Sequence, residues 1–188
     1  MNIRSSSRLA IVYITTVLTL GAGINSAQAW SGIALDLGTA AGDADVERFG
    51  VALTWDWGAQ WLTNGDWYLG GYWELGASYW DGNEGRTGND ALGDFHVTPV
   101  FRYQRKPSLV FSPFLEFGVG AHVHTDDTIG NKRFDVPFAF GSHLGGGVRF
   151  GSRAQYELIY RFQHLSNAGI GDDNPGINFH VLNLGYRF

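Results

Sequence analysis

Hydrophobic and polar residues alternate along most of this chain with a period of two, the spacing that sends successive side chains to opposite faces of an extended strand. Arg48-Phe49-Gly50-Val51-Ala52-Leu53-Thr54-Trp55-Asp56-Trp57 shows the pattern: odd positions are large and apolar, even ones small or polar. Segments of this kind predict eight strands, at about Ile33–Thr39, Arg48–Trp57, Trp67–Trp80, Asp94–Tyr103, Phe111–Val123, Phe138–Phe150, Gln155–Leu165 and Asn178–Phe188. Most approach the ~9–11 residues that a tilted strand needs to cross a bilayer. After the N-terminal stretch, no apolar run reaches the ~20 residues of a spanning helix, so entry into a membrane would be by strands.

The connections differ in character. Residues 39–47, 81–92, 124–137 and 166–177 are polar and long, whereas 104–109 and 151–153 are short. That alternation suits a bacterial barrel with both termini in the periplasm and its long loops outside the cell. Residues 58–66 are longer than a periplasmic turn requires, and Pro99 inside a predicted strand suggests a bulge.

The two faces separate cleanly. One carries Phe49, Val51, Leu53, Trp55, Trp57, Leu69, Trp73, Leu75, Tyr79, Leu115, Phe117, Val119, Phe138, Phe140, Leu144 and Val148. The other carries Asp36, Asp56, Glu74, Glu116 and Glu157 with Arg102, Arg149, Arg161 and Arg187, and also His96, His122 and His143. A secreted β-sandwich would have to hide the aromatic faces inside; too many large aromatics fall on every strand for that. The expectation is an all-β, eight-stranded antiparallel transmembrane β-barrel, its lumen filled by paired charges because unpaired buried charge is costly.

Composition supports that choice. The chain holds 13 Phe, 8 Tyr and 7 Trp with 27 Gly and a single Met, the aromatic-rich and glycine-rich balance of an outer-membrane barrel rather than of a helical membrane protein. Arg4 and Arg8, the apolar stretch from Leu9 to Ala22, and Ala27-Gln28-Ala29 read as an export signal over residues 1–29, leaving residues 30–188 as one barrel domain. Without that signal, 11 basic residues face 18 acidic ones, a balance of −7 that argues against nucleic acid as a partner. The absence of cysteine excludes disulfides, thiolate metal sites and cysteine nucleophiles.

Candidate chemistry gathers near the C-terminus, in Tyr160-Arg161-Phe162-Gln163-His164-Leu165-Ser166-Asn167-Ala168-Gly169. His164 and Ser166 share a face with Tyr156, Leu158, Tyr160 and Phe162, the side toward lipid, where a polar pair adds nothing to barrel stability. Histidine is the usual base for a serine hydroxyl, which is a weak nucleophile until its proton is taken. Spacing alone leaves a second reading open, in which the pair merely hydrogen-bonds lipid headgroups. His122 and His124, with His96 and His143, offer a metal-site reading, but three of them face inward among carboxylates, which favours ordinary lumen hydrogen bonding. The acidic pairs of the outer loops, Asp43/Asp45, Asp126/Asp127 and Asp172/Asp173, could bind Ca²⁺ or share divalent ions with lipopolysaccharide, but read as solvated; no metal or other cofactor is assigned. No Gly-x-Ser-x-Gly elbow, phosphate loop or zinc-protease helix is present.

His164-Leu165-Ser166-Asn167-Ala168-Gly169-Ile170, followed by Asn174-Pro175-Gly176-Ile177 and a closing strand that ends on Phe188, resembles the signature of the PagL-type lipid A 3-O-deacylases. The specific match covers about 25 C-terminal residues. The resemblance implies an eight-stranded outer-membrane enzyme that hydrolyses the 3-O-linked acyl ester of lipid A within lipopolysaccharide, reaching its substrate laterally from the bilayer. It also implies His164 as general base, Ser166 as nucleophile, and Asn167 with the backbone at Gly169 as oxyanion donors. The terminal aromatic residue resembles the signal by which such barrels are recognised for assembly.

One residue departs from the family pattern, which carries a glutamate after the Gly-Ile pair; this chain has Asn178. Antiparallel pairing of the last two strands would set Asn178 or His180 across from His164. An asparagine orients an imidazole in Cys-His-Asn enzymes but brings no negative charge. Asp172 or Asp173 in the last loop is the alternative orienter. The competing class is a non-enzymatic small barrel, structural or adhesive, and the sequence leaves a homodimer open.

Overall fold

The computed structural model describes residues 30–42, 44–83, 85–107 and 111–188; the expected export signal, residues 1–29, lies outside the described residues. Eleven strands follow in order: β1 (Gly32–Ala41), β2 (Val46–Asp56), β3 (Trp61–Asn64), β4 (Trp67–Gly82), β5 (Ala91–Arg105), β6 (Phe111–His124), β7 (Thr128–Ile129), β8 (Lys132–Arg133), β9 (Phe138–Phe150), β10 (Tyr156–Ser166) and β11 (Ile177–Arg187). Eight of them close a barrel in the order β1-β2-β4-β5-β6-β9-β10-β11, each antiparallel to the next, and β11 pairs back onto β1. Closure pairs both edges of each of these eight strands, so none of the eight presents a free edge to another chain.

The three short strands decorate the ends. β3 folds back on β4, with Trp61 opposite Leu69 and Asn64 opposite Trp67, which accounts for the length of the 58–66 connection. β7 and β8 form a hairpin within the loop between β6 and β9. Pro99 makes no bulge. It stays in register opposite Trp73 of β4, while the β5–β6 pairing lapses at residues 98 and 99 and resumes in the same register at Val100 opposite Gly118. A residue without an N–H costs the sheet a local gap here, not a change of register.

The alternation read from the sequence maps onto outside and inside. Leu115, Leu144 and Tyr160 are 63%, 68% and 51% exposed on the outer wall, within a belt of aromatic and aliphatic side chains. The lumen holds the charges as a network centred on Glu116, which accepts from Arg102 Nη2 at 2.7 Å and Arg161 Nε at 2.7 Å. Arg161 continues to Glu74 at 2.9 Å, and Arg102 to Glu157 at 2.8 Å, where Arg149 joins at 2.7 Å. Removing one member of such a network strands a buried charge, a loss of about 3–5 kcal/mol. Asp56 departs from the expected lumen set: it lies exposed at the barrel rim, paired with Arg187.

The outer half of the lumen is different, and the alternation did not reveal it. Val46, Trp80, Leu92, Ile129, Phe134, Ala139, Leu165, Ile177, Phe179 and Val181 form an apolar plug beneath the long loops. Trp80 and Phe179 meet edge to face at 4.7 Å. The plug sits directly behind the strand ends that carry His164, Ser166 and Asn178, because Leu165, Ile177 and Phe179 are their immediate neighbours pointing inward.

Candidate active site

Strands β10 and β11 set the geometry. Their register places His164 opposite Asn178 and Phe162 opposite His180, with all four side chains on the outer wall. His164 Nδ1 and Asn178 Oδ1 are 2.7 Å apart. An amide oxygen only accepts, so the proton of a neutral imidazole resides on Nδ1 and Nε2 keeps its lone pair. That is the tautomer a general base needs. Asp172 and Asp173 make no hydrogen bond to His164 among the described residues; the Asp173 N–H instead donates to Asp135 Oδ2 at 2.5 Å.

A bare backbone makes room for the ring. Gly176 has φ +58°, and a Cβ placed there would lie 3.0 Å from His164 Cε1 and 3.7 Å from Nε2. The positive φ and the close approach both favour glycine at this position.

Ser166 is the last residue of β10, half-buried, opposite Phe140 of β9 and on the side that His164 faces. No hydrogen bond joins its hydroxyl to His164 among the described residues. Two residues along a strand separate the α-carbons by about 6.6 Å, and the imidazole reaches across part of that span. Sites without substrate commonly hold base and nucleophile apart in this way.

Beyond Ser166 the chain turns sharply, with Ala168 at φ +54° and Gly169 at φ +79°. Asn167 organises the turn and is almost wholly buried. Its amide nitrogen donates to the carbonyls of Phe134 at 2.8 Å and Asp173 at 2.9 Å, and its Oδ1 accepts from the Gly169 N–H at 2.8 Å. The two expected oxyanion donors are thus both engaged: Asn167 clamps the loop, and the Gly169 N–H is held by a single acceptor, Asn167 Oδ1. Asn174 Oδ1 accepts from the Asn167 backbone N–H at 3.0 Å, completing the clamp.

Inboard of the pair, an open groove of about 380 Å³ runs along the outer wall between β10, β11, β1 and β2. Leu37, Phe49 and Leu182 line it, with Thr39, Tyr160 and His180. Tyr160 Oη and His180 Nδ1 are 2.6 Å apart, so these two polar side chains satisfy one another, while Glu47 also borders the groove. His180 therefore pairs with Tyr160, and among the described residues the hydrogen-bond partner of His164 is Asn178.

The remaining candidates fall elsewhere. His96, His122 and His143 are buried in the lumen as expected, and His124, placed by the sequence reading in a loop, ends β6 and is buried there too. Asp126 caps the start of the β7–β8 hairpin, where the N–H and hydroxyl of Thr128 hold its carboxyl below the ordinary carboxylate range. Asp43 lies outside the described residues, and Asp45 pairs with Asn83.

Residues 47–187 match the family model described as Lipid A 3-O-deacylase (PagL). The lipid A deacylase PagL of Bordetella bronchiseptica is 31% identical to this chain over 112 residues, which are 60% of this chain and 59% of that protein. The match therefore spans about three fifths of that relative's length. Among solved structures, the crystal structure of the outer membrane enzyme PagL superposes with a TM-score of 0.75 at 24% identity, over 84% of this chain and 100% of that one. The crystal structure of Neisserial surface protein A aligns at 10% identity with a TM-score of 0.48, over 84% and 94% of the two chains.

Proposed function

This chain belongs to the lipid A 3-O-deacylase (PagL) family, and from that premise we propose that residues 30–188 are an outer-membrane enzyme that removes the 3-O-linked acyl chain of lipid A, residues 1–29 being its export signal. One observation carries the reading. The 2.7 Å contact from His164 Nδ1 to Asn178 Oδ1 prepares an imidazole base on the outer wall of a barrel, beside a serine of the same strand and face. Folding gains nothing from that arrangement on an apolar belt.

In this mechanism Ser166 Oγ attacks the ester carbonyl while His164 Nε2 takes its proton. The tetrahedral oxyanion draws the Gly169 N–H away from Asn167 Oδ1, while Asn167 keeps the turn in place. His164 then returns the proton to the departing 3-hydroxyl oxygen of the sugar, and the acyl-enzyme forms. Water activated by the same imidazole cleaves the acyl-enzyme to a free fatty acid and regenerates Ser166. The substrate approaches sideways within the outer leaflet, its acyl chain lying against the apolar groove. Water enters from the side of the loops.

Mass spectrometry of lipid A from cells expressing the chain tests the reading. Wild type should remove one 3-O-acyl chain and release it as free fatty acid, while Ser166→Ala and His164→Ala leave lipid A intact. Lipid A unchanged by folded wild type in a permissive host would sink the proposal, and equal deacylation by Ser166→Ala would sink its nucleophile. Transfer of the chain to an acceptor, with no free fatty acid, would mark an acyltransferase instead.

A further inference from the structure

Four lumen side chains form a rectangle across the β5–β6 pair, with Asp94 opposite His124 and His96 opposite His122. All four point inward and are 0–5% exposed. The three imidazoles converge on one carboxylate: His122 Nδ1 lies 2.9 Å from Asp94 Oδ1, His124 Nε2 3.4 Å from the same oxygen, and His96 Nδ1 3.5 Å from Oδ2. Among the described residues Asp94 has no lysine or arginine partner; its other neighbour is the Ser78 hydroxyl, at 3.1 Å. His96 also lies 3.5 Å from Glu74 Oε1 through its Nε2. A fully buried carboxylate needs a compensating positive charge, which a histidinium or a bound cation supplies.

The imidazoles are under-used as well. Among the described residues, His96 Nδ1 and both nitrogens of His124 are buried without a hydrogen-bond partner, and His96 Nδ1 and His124 Nε2 face Asp94. The rings are held in place by backbone. A Cβ at Gly76 would come within 2.3 Å of the His96 ring, and one at Gly141 within 2.2 Å of His122. Both rings therefore rest on bare strand, and His122 turns its opposite nitrogen, Nδ1, to Asp94.

We propose that Asp94, His96 and His122, with His124 at the fourth corner, bind one divalent transition-metal ion of the zinc class inside the barrel. Bonds of about 2.0–2.1 Å in a tetrahedron put neighbouring ligand atoms about 3.3 Å apart. The nitrogen-to-carboxylate distances, two to Asp94 Oδ1 and one to its Oδ2, bracket that value, and the ligand atoms of Asp94, His96 and His122 all lie within 4.8 Å of one another. Imidazole nitrogens with one carboxylate suit Zn²⁺ or Co²⁺, whereas Ca²⁺ and Mg²⁺ take oxygen sets. The ion would cancel the Asp94 charge and satisfy the free nitrogens together.

The site also touches the machinery of the loops. His124 packs on Phe134 at 5.8 Å and on Trp80 at 5.1 Å, and the Phe134 carbonyl receives the Asn167 amide beside Ser166. A metal fixing His124 would brace the floor of the catalytic turn from inside. The role is structural, because the plug separates the cluster from the outer wall where the ester would lie.

Because the plug covers the cluster, the ion is supplied during folding. The full barrel, untagged, is refolded in detergent with Zn²⁺, washed with a chelator and assayed for retained metal. One Zn²⁺ per chain is expected in wild type and in His180→Gln, which deletes an exposed imidazole. Asp94→Asn and His122→Asn should retain less than a tenth as much. Folded wild type without retained metal, or equal retention in the two cluster variants, overturns the proposal. Should those variants fail to fold, X-ray absorption of zinc in wild type decides: imidazole nitrogens plus one carboxylate oxygen at about 2.0–2.1 Å support it, and an oxygen-only shell refutes it.

Discussion

Replacing Asn178 by aspartate changes a single property of the site. The side chain keeps its length and branching, so the 2.7 Å contact with His164 Nδ1 persists and the proton stays on that nitrogen. What changes is charge: imidazolium forms as Ser166 gives up its proton, and a carboxylate stabilises it where an amide does not. With charge centres about 4 Å apart, that attraction is worth about 4 kcal/mol at an effective dielectric of ~20. His164 is exposed on the outer wall, so solvent screening brings the benefit down to about 1–2 kcal/mol, a rate gain of about 5- to 30-fold. Asn178→Ala removes the orienting acceptor and should slow the reaction at every pH. The assay is fatty-acid release from purified lipid A in mixed micelles between pH 5 and 9, on barrels shown to be folded by their migration on unheated gels. If Asn178→Asp is no faster than wild type at any pH and Asn178→Ala is equally active, Asn178 does not orient the base.

Three further outcomes follow from the same geometry. Gly176→Ala forces an L side chain into φ +58° and against the His164 ring, so deacylation should fall by about 10- to 100-fold in a barrel that still folds, as read by the same assay. Glu116→Gln leaves Arg102 and Arg161 under-compensated in the lumen; urea unfolding in lipid vesicles should show a loss of about 3–5 kcal/mol, with the rate per folded molecule unchanged. Leu144→Arg places a charge in the middle of β9 on the outer wall and should lower stability by about 2–4 kcal/mol in bilayers, provided that wall meets lipid, whereas Leu144→Met should leave it nearly unchanged.

The sequence was legible wherever one strand's own alternation decided the matter. The strand over residues 138–150 matches its expected bounds to the residue, because turn-forming segments flank it and its large apolar residues share a face. The outward position of His164 and Ser166 follows from the same parity. Pairings were harder. Parity narrowed the partner of His164 to Asn178 or His180, and only the β10–β11 register decided between them. The histidines of the inward cluster were legible as a possible metal set, but their convergence on Asp94 was not: Asp94 and His96 share one strand, His122 and His124 the next, and alternation says nothing about which residues stand opposite.

The apolar plug was hidden by a different cause. A rule that sends polar residues inward reads Trp80 and Phe179 as exceptions when each strand is taken alone, and the rule applies only where the lumen is wet or ionic. Here the apolar plug is neither, since ten apolar side chains from different strands and loops pack together in it, bordered by the buried Asp94 and histidine cluster. That filling explains how the turn after Ser166, catalytic in the proposed mechanism, can stand on the wall of so narrow a barrel. Asn167 is buried and gives its amide hydrogens to Phe134 and Asp173, bonds that would exchange readily with water if the plug were open. A dry floor keeps the turn in one conformation, so Ser166 and His164 face the bilayer from a rigid support even though both lie at the frayed end of a strand. Loosening the plug at Phe134 or Phe179 should therefore disturb the outer site before it disturbs the charge network deeper in the barrel.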